Sequence, residues 1–235
     1  MKNDTVFVLL AGGKSERMGV PKGLLQYQNI YWILEQIDRI ATATITEIYI
    51  GLGHHSQEYL NQIPLLNQAQ SEFITYKKTQ IRVFINKNPE LGSFSTLQNV
   101  LQQIPQNKSV LINPIDVPIL NAFELQTIID TQNQIVLPNF EGKNGHPIKL
   151  QSNFWEPLLF LDPTSEKSRL DLEIKKIKPS LITTISVSDS CIIKNLNTQN
   201  DWVDYSKNNI KKKQKSVSKL SKRLFENNNS NLFLD

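Results

Sequence analysis

The sequence is short of cysteine, since Cys191 is the only one among 235 residues. A single thiol excludes an internal disulfide and a cysteine-based zinc site. Long apolar runs are also missing: none approaches the ~20 residues that span a bilayer, and the first residues lack the apolar core of a signal peptide. We therefore expect a cytoplasmic protein without a membrane span, whose 39% hydrophobic content suits one large globular domain.

Most of the chain lacks a net positive charge, although the formal net charge of the whole is +4. Residues 207–235 contain eight basic side chains against Glu226 and Asp235, a net charge of +6, which leaves −2 for the rest. A mildly acidic body is not typical of a nucleic-acid-binding domain, and a polar, basic terminus is typical of a poorly ordered segment. We predict one domain over residues 1–206 and a basic, flexible tail over residues 207–235.

Glycine is also infrequent, with nine residues, yet two are adjacent in the segment 10–25, which reads LAGGKSERMGVPKGLL. The apolar run before it, residues 5–9, predicts a buried strand because it is short, β-branched and aromatic. Gly12 and Gly13 carry no Cβ, so the backbone can turn sharply and bring its N–H groups close to a ligand. We expect the strand to deliver a ligand-binding loop to the edge of a sheet.

Three cations follow these glycines within eleven residues, Lys14, Arg17 and Lys22, and only Glu16 opposes them. Cationic side chains beside open backbone N–H groups favour a polyphosphate ligand. Two better-known glycine loops are excluded by their spacing. The Walker pattern needs four residues between its first glycine and a Gly-Lys-Ser/Thr, and this sequence lacks that pattern. The dinucleotide fingerprint G-x-G-x-x-G is also absent.

A candidate metal ligand follows the strand predicted at residues 109–113. Asp116 stands in the segment PIDVP, just beyond the carboxyl end of that strand, where doubly wound sheets place their ligands. Pro118 holds the carboxylate in a fixed turn, which suits Mg²⁺ because that ion demands near-octahedral oxygen geometry. The adjacent His54 and His55 are not expected to bind a metal, since neighbours on an extended segment point to opposite faces.

Hydrophobic periodicity predicts alternating strands and helices, which indicates a layered α/β fold with a mostly parallel sheet. Residues 64–80 have a weak pattern and are interpreted as a loop or a helical insertion. The predicted strands are residues 5–9, 47–52, 81–85, 109–113, 135–137, 181–188 and 192–193. The predicted helices are residues 29–43, 56–63, 95–103 and 122–131.

The motif L-A-G-G-x-S-x-R-M-G-x-x-K-G-L-L resembles the nucleotidyltransferases typified by the molybdenum cofactor guanylyl- and cytidylyltransferases. The resemblance implies a three-layer α/β/α, Rossmann-like sheet of the nucleotide-diphospho-sugar transferase type. It also implies that the loop wraps the base and triphosphate of an NTP, with Arg17 and Lys22 on the phosphates. The nucleotide-binding residues implied in the loop are Leu10, Ala11, Gly12, Gly13, Lys14, Ser15, Arg17 and Lys22.

Later segments carry the same resemblance less specifically. The segment from Asn88 resembles N-P-x-x-x-G-x-x-x-S-L, which implies that Ser95 helps to hold the nucleotide; ordinary helix capping is the alternative. The segment I-D-V-P resembles the family's x-D-x-P motif, whose aspartate binds Mg²⁺. N-L-N-T-Q resembles N-x-N-T-P, which implies Asn197 as the second metal ligand, with Asn195 as the alternative.

The acceptor side is implied by two further segments. Gly-His-Pro-Ile resembles a segment near the acceptor pocket of the cytidylyl branch, which implies that His146 contacts the acceptor. Arg169 aligns with the arginine of a G-D-x-G-A-R motif found in relatives that use molybdopterin. Its glycines and aspartate are replaced here by Thr164, Ser165 and Lys167, so the identity of the acceptor stays open.

These parts together predict a Mg²⁺-dependent nucleotidyltransferase. It would move an NMP from CTP or GTP to a phosphorylated small-molecule acceptor, molybdopterin among the candidates, and release pyrophosphate. Two alternatives remain: a sugar- or polyol-phosphate nucleotidyltransferase, and a non-catalytic nucleotide-binding module. The sequence gives no indication of the oligomeric state.

Overall fold

The structure is a computed structural model that describes residues 4–209. The chain divides into two compact units, Met1–Asn195 and Leu196–Asp235. The first contains the sheet, and the described part of the second is helical over residues 199–209. This helix continues across the domain boundary predicted at residue 206, and the rest of the predicted tail, residues 210–235, lies outside the described residues.

The elements of the first unit are numbered here in chain order. The strands are β1 (Thr5–Ala11), β2 (Gln26–Tyr27), β3 (Ile30–Tyr31), β4 (Glu47–Leu52), β5 (Ile74–Tyr76), β6 (Thr79–Ile85), β7 (Ser109–Pro114), β8 (Ile135–Phe140), β9 (Lys143–Asn144), β10 (Ile148–Leu150) and β11 (Ile182–Ser186). The α-helices are α1 (Trp32–Ile40), α2 (Ser56–Gln62), α3 (Pro64–Gln68), α4 (Ser93–Leu101), α5 (Ala122–Asp130), α6 (Ser152–Trp155) and α7 (Leu170–Lys175). Within residues 4–209, no helix is long and apolar enough to cross a bilayer.

The central sheet has the strand order β11-β8-β10-β7-β1-β4-β6-β5, and β9 pairs with β8. Strands β7, β1, β4 and β6 are mutually parallel neighbours, and β11 is parallel to β8. β10 runs antiparallel to β7 and β8, and β5 runs antiparallel to β6. The mostly parallel sheet that the sequence predicts is therefore confirmed.

Side-chain alternation on β1 explains the three layers. Val6 and Val8 belong to a core cluster with Phe94 of α4 and Trp155 of α6, so helices cover that face. The intervening Phe7 and Leu9 point to the opposite face and are fully buried as well. A strand that is buried on both faces needs a covering layer on each side, as the predicted α/β/α architecture requires.

Two segments differ from the expectation. Residues 192–193, predicted as a strand, lie in the 3₁₀ turn Ser190–Ile193, where the Asp189 carboxylate accepts a hydrogen bond from the Cys191 backbone N–H at 2.9 Å. This local cap competes with strand pairing, and Cys191 is buried. Residues 64–80 form α3 and one side of the β5–β6 hairpin, whose turn residue Lys77 has a φ of 55°.

Candidate active site

A large cavity of about 1460 Å³ opens at the carboxyl edge of the parallel strands. Its wall includes residues that lie within four positions of the ends of four of these strands: Gly12 after β1, His54 after β4, Pro89 after β6 and Asp116 after β7. The carboxyl ends of parallel strands meet at one edge of a sheet, which is where α/β folds bind ligands. The structure thus brings the predicted glycine loop and the predicted metal ligand to one site.

The loop after β1 folds back on itself through short-range geometry. Ser15 has a left-handed backbone with a φ of 54°, and Gly19 has a φ of 72°. Met18 between them is buried and anchors the loop to the protein. The Ser15 Oγ accepts a hydrogen bond from the Lys22 backbone N–H at 3.2 Å. These contacts return Lys22 to the edge of the sheet.

The two adjacent glycines have different surroundings. A Cβ on Gly12 would lie 2.7 Å from the Thr96 Oγ1, whereas a Cβ on Gly13 would meet nothing within 4 Å. Thr96 cannot move easily, because it is buried and accepts a hydrogen bond from the Asn86 side chain. Gly12 is thus required by packing, while Gly13 keeps its backbone open toward the cavity.

Lys22 and Asp116 form an ion pair across the cavity wall, although 94 residues separate them in the chain. The Lys22 Nζ lies 2.8 Å from the Asp116 Oδ2, and the side chains are 14% and 22% exposed. Such partial burial strengthens an ion pair relative to one on the surface. A cation and a carboxylate therefore lie side by side on the cavity wall.

The turn that carries Asp116 is held by three polar side chains that the sequence reasoning missed. Asn113 is fully buried, and its Nδ2 donates to the carbonyls of Pro114 and Val117, both at 2.7 Å. The Trp32 Nε1 donates to the Ile115 carbonyl at 2.7 Å. The Gln36 Oε1 accepts from the Ile119 N–H at 2.9 Å. An asparagine at the end of an otherwise apolar strand is the available sequence signal.

At the start of α4 the cavity wall contains Thr96, and Ser95 does not line it. The Ser95 Oγ lies 2.8 Å from the Gly92 carbonyl and accepts from the Asn86 Nδ2, also at 2.8 Å. Ser95 is 7% exposed. The hydroxyl predicted to hold the nucleotide is therefore used inside the protein to fix the entrance of the helix, and its neighbour faces the ligand space.

The segment after β4 packs behind the glycine loop. The His54 backbone N–H donates to the Gly12 carbonyl at 3.2 Å, and the His55 Nε2 lies 2.9 Å from the Lys14 carbonyl oxygen. The buried Tyr59 hydroxyl accepts from the Gly23 N–H at 2.9 Å. Among residues 4–209, no cluster of three or more His, Cys, Asp or Glu side chains is arranged to hold a metal.

The acceptor residues predicted from the sequence, His146 and Arg169, both line the cavity. His146 lies just after β9. Burial lowers the pKa of its imidazole, whereas the hydrogen bond to the Ile112 carbonyl and the charge of Asp116 act to raise that pKa. The Arg169 guanidinium makes a bidentate pair with Asp171 at 3.0 and 3.1 Å. These side chains form a second wall that contains hydrogen-bonding groups.

Two predicted site residues lie elsewhere. Arg17 is exposed on the 3₁₀ turn Glu16–Met18 and does not line the cavity. Asn195 lines it, but Asn197 belongs to the second unit, where its backbone N–H donates to the Asp201 carboxylate at 3.1 Å. Thr198 caps the following helix, since its Oγ1 accepts from the Asp201 N–H at 3.2 Å.

Comparisons with known proteins agree with this architecture. Residues 7–173 match the sequence model of the MobA-like NTP transferase domain. A Rhodopirellula baltica protein named "Probable molybdenum cofactor guanylyltransferase" is 24% identical over 208 residues, which cover 83% of this chain and 88% of that protein.

Solved structures share the fold at low sequence identity. A nucleotidyl transferase from Methanothermobacter thermautotrophicus superposes with a TM-score of 0.69 at 15% identity, covering 88% of this chain and 98% of that one. Rv0371c from Mycobacterium tuberculosis H37Rv superposes with a TM-score of 0.68 at 17% identity, covering 86% and 98%; it has also been solved in a complex with manganese. Since the family match spans most of the chain, the protein belongs to the MobA-like NTP transferase family and is a nucleotidyltransferase.

Proposed function

We propose that this enzyme moves a nucleoside monophosphate from an NTP to a phosphorylated acceptor, with a divalent cation, and releases pyrophosphate. The observation that carries the proposal is the Lys22–Asp116 ion pair at 2.8 Å, in a cavity that the glycine loop also lines. Its volume of about 1460 Å³ supports two substrates, because pockets for one small molecule are typically ~300–1,000 Å³.

The loop and Lys22 are assigned to the nucleotide. The backbone at Gly13 has open space in which a ligand can approach the N–H groups. Lys22 is the cation that can move from Asp116 to the phosphates, while Lys14 lines the same cavity. Arg17 is kept as an outer phosphate contact on the basis of the motif, since its side chain is exposed at the loop. These groups position the triphosphate and neutralise charge that develops during transfer.

A divalent cation fits the donor set around Asp116. Mg²⁺ is held in such sites by one or two carboxylates together with substrate phosphates and waters, and Asp116 supplies a carboxylate oxygen at the cavity wall. Asn197 or Asn195 is the candidate for an additional amide oxygen. When bound, the cation would supply charge neutralisation at the phosphate oxygens. The manganese complex of the structural relative Rv0371c supports a divalent ion as the class of cofactor.

The reaction needs no covalent intermediate on the protein. An oxygen of the acceptor phosphate attacks the α-phosphorus in line, a new P–O bond forms, and the bond to the oxygen bridging to the β-phosphorus breaks. The bond pair leaves with pyrophosphate. His146 and Arg169 are assigned to the acceptor, because both line the second wall of the same cavity.

GTP is the first nucleotide to test, because the Rhodopirellula baltica relative is named a guanylyltransferase, and molybdopterin is the corresponding acceptor. A sugar or polyol phosphate is the second candidate. The observation that favours it is the hydroxyl-bearing cavity wall of Thr164, Ser165 and Ser168, where the acceptor motif of molybdopterin-using relatives is not retained.

Pyrophosphate release tests the proposal. The purified protein is incubated with Mg²⁺, each of the four NTPs, and either molybdopterin, a sugar 1-phosphate or a polyol phosphate. Asp116→Asn should abolish turnover. Asp38→Asn is the matched control, since Asp38 pairs with Lys77 on the surface. Turnover that survives in the Asp116 variant would refute the metal assignment, and NTPs that leave the thermal stability unchanged would refute the loop assignment.

A further inference from the structure

The glycine loop is attached to the segment that follows β4 at three points. The His54 N–H holds the Gly12 carbonyl, the His55 ring lies against the Lys14 carbonyl, and the Tyr59 hydroxyl holds the Gly23 N–H. Two of these contacts involve groups that do not titrate near neutral pH. The His55 contact is different, because an imidazole can gain or lose a charge there.

Both ring nitrogens of His55 face groups that accept hydrogen bonds. The Nδ1 lies 2.7 Å from the Glu58 Oε1, and the Nε2 lies 2.9 Å from the Lys14 carbonyl oxygen. A carboxylate and a carbonyl have no proton to donate. Both contacts are satisfied together only when both nitrogens carry hydrogen, which is the imidazolium form.

The surroundings of the ring favour the same form. The hydrogen bond that the ring donates to the Glu58 carboxylate raises the pKa of His55 above its ordinary value of 6.5, against a smaller opposing effect of burial. The glycine loop carries four charged side chains: Lys14 and Glu16, which pair with each other at 3.8 Å, Arg17, and Lys22, which pairs with Asp116. His54 is the neighbouring residue in the chain. His55 also adopts a left-handed backbone with a φ of 61°, which is unfavourable for a residue with a Cβ and is often found at functional sites.

We propose that His55 is a positioning residue of the nucleotide site, which as an imidazolium fixes the Lys14 carbonyl and makes NTP affinity depend on pH. The proposal rests on the function proposed above. Protonated His55 holds the loop in the geometry that exposes Gly13 and adds a positive charge against the Lys14 carbonyl of that loop. Deprotonation removes that charge and one of the two hydrogen bonds, so NTP affinity falls as the pH rises through the pKa of His55.

Binding of GTP and of CTP, each with Mg²⁺, is measured by calorimetry between pH 6 and 8.5. His55→Gln can still donate one hydrogen bond but is neutral at every pH. At the acidic end the wild type should bind about five- to tenfold more tightly than this variant, as for the loss of one hydrogen bond, and the difference should shrink as the pH rises. Any titration of the nucleotide itself is common to both proteins and cancels in the comparison.

Two further variants test whether the charge of Glu58 determines the pH dependence of NTP affinity. Glu58→Gln removes the carboxylate that stabilises the imidazolium, so the pH at which affinity falls should shift downward. Glu72→Gln makes the same change in net charge at an exposed position and should behave like the wild type. If His55→Gln does not fold, the comparison of Glu58→Gln with Glu72→Gln tests the proposal. Parallel pH profiles for the wild type and the Glu58 or His55 variant would overturn the proposal.

A nucleotide-free measurement distinguishes this inference from the proposed function. The His55 ring is titrated by ¹⁵N NMR in the wild type and in Glu58→Gln, and it should titrate above 6.5 only in the wild type. A wild-type ring that titrates at or below 6.5 overturns the inference even if GTP binds. Absence of binding by every NTP, with a raised ring titration, overturns instead the proposed function and the link to affinity.

Discussion

Gly12 and Gly13 are neighbours in the sequence, yet the physical reason for a glycine differs between the two positions. An alanine methyl group at Gly12 would overlap the buried Thr96 side chain, whereas at Gly13 it would meet open space. We expect Gly12→Ala to destabilise the fold by roughly 1–3 kcal/mol, as overpacking usually does. Chemical denaturation measures this change.

Gly13→Ala should leave the free energy of unfolding within about 1 kcal/mol of the wild type and should instead weaken NTP binding, because its methyl group occupies space beside the loop. The two variants make the same chemical change one residue apart, so each is the control for the other. Equal loss of stability in both would contradict the distinction between a packing glycine and a ligand-facing glycine.

The role assigned to Lys22 also has an internal control. Lys22→Met removes the cation and keeps most of the stem, so NTP affinity and turnover should fall by at least tenfold, the value of about one charge-assisted hydrogen bond. Lys77→Met removes the cation of an ion pair with Asp38 on the surface. Stability should change little in both variants, because exposed and partly exposed ion pairs contribute about 0–1 kcal/mol.

Binding and turnover assays with GTP compare the two variants. Lys77→Met should match the wild type in both assays. A loss of NTP affinity of similar size in the Lys77 variant would mean that net charge, rather than the position of Lys22, determines binding.

For single residues, the sequence predicts the side chains with chemical roles at the candidate site but not the side chains that hold them in position. Lys22 and Asp116 were predicted because a cationic glycine loop and an acidic strand end have a local pattern. Trp32 and Gln36 could not be predicted as supports of the Asp116 turn, because their hydrogen bonds span 83 residues and exist only after the sheet has placed α1 beside it. The sequence also cannot show which of Ser95 and Thr96 lines the cavity, since adjacent residues on a helix face different directions.

Among the elements, α5 shows how both ends of a short helix are satisfied. At its start, the Asn121 side chain accepts from the Glu124 N–H at 3.0 Å. At its end, the Lys149 Nζ donates to the carbonyls of Ile129 and Thr131 at 2.6 and 2.9 Å. Lys149 is 2% exposed, and burial lowers the pKa of its amine. The buried cation faces carbonyls at the negative end of the helix.

We therefore expect both ends to contribute to stability. Asn121→Ala should cost roughly 1 kcal/mol, as is usual for an N-cap. Lys149→Met should cost roughly 1–3 kcal/mol, because two buried carbonyls lose their donor. Lys78→Met, at an exposed position, is the matched control and should change little. Urea denaturation measures all three, and a Lys149 variant as stable as its control would contradict a capping role.

Element prediction was accurate where the hydrophobic pattern was regular. The parallel strands β1, β4 and β7 have uninterrupted apolar runs, and the helical spacing of α1 and α5 is clear, so their positions were predicted within a few residues. The segments 64–80 and 192–193 were not, because a proline-initiated short helix, a positive-φ hairpin turn and a side-chain cap are local hydrogen-bonding features that leave little periodicity.

For the molecule as a whole, the sheet order explains why residues from separate parts of the chain share one cavity. The strands β6, β4, β1 and β7 are adjacent and parallel, so the segments that follow them meet at one edge. The antiparallel β10 follows β7 in this order, and residues 144–146 just before it bring His146 to the same cavity. The residues proposed to contact the nucleotide and the acceptor are therefore brought together by topology rather than by local sequence.

Two histidines of this cavity region should give stability opposite dependences on pH. Burial lowers the pKa of His146 in the folded state, so the unfolded chain binds more protons and stability rises as the pH increases toward 6.5. The hydrogen bond to Glu58 raises the pKa of His55, so its contribution is fully present below 6.5 and is lost as the pH rises through the folded pKa. In the wild type the His146 effect acts below pH 6.5 and the His55 effect acts above it, so the contribution of the two rings to stability should be greatest near pH 6.5.

Single substitutions should separate them. His55→Gln retains the His146 effect, so its free energy of unfolding should fall as the pH decreases below 6.5, as in the wild type, but should lack the wild-type decline above 6.5. His146→Gln retains the His55 effect, so its stability should decline as the pH rises above 6.5. Urea denaturation between pH 5 and 8.5, in metal-free buffer without nucleotide, measures both profiles. Identical pH profiles in the two variants would contradict opposite shifts, because each variant keeps only one of the two titrating rings.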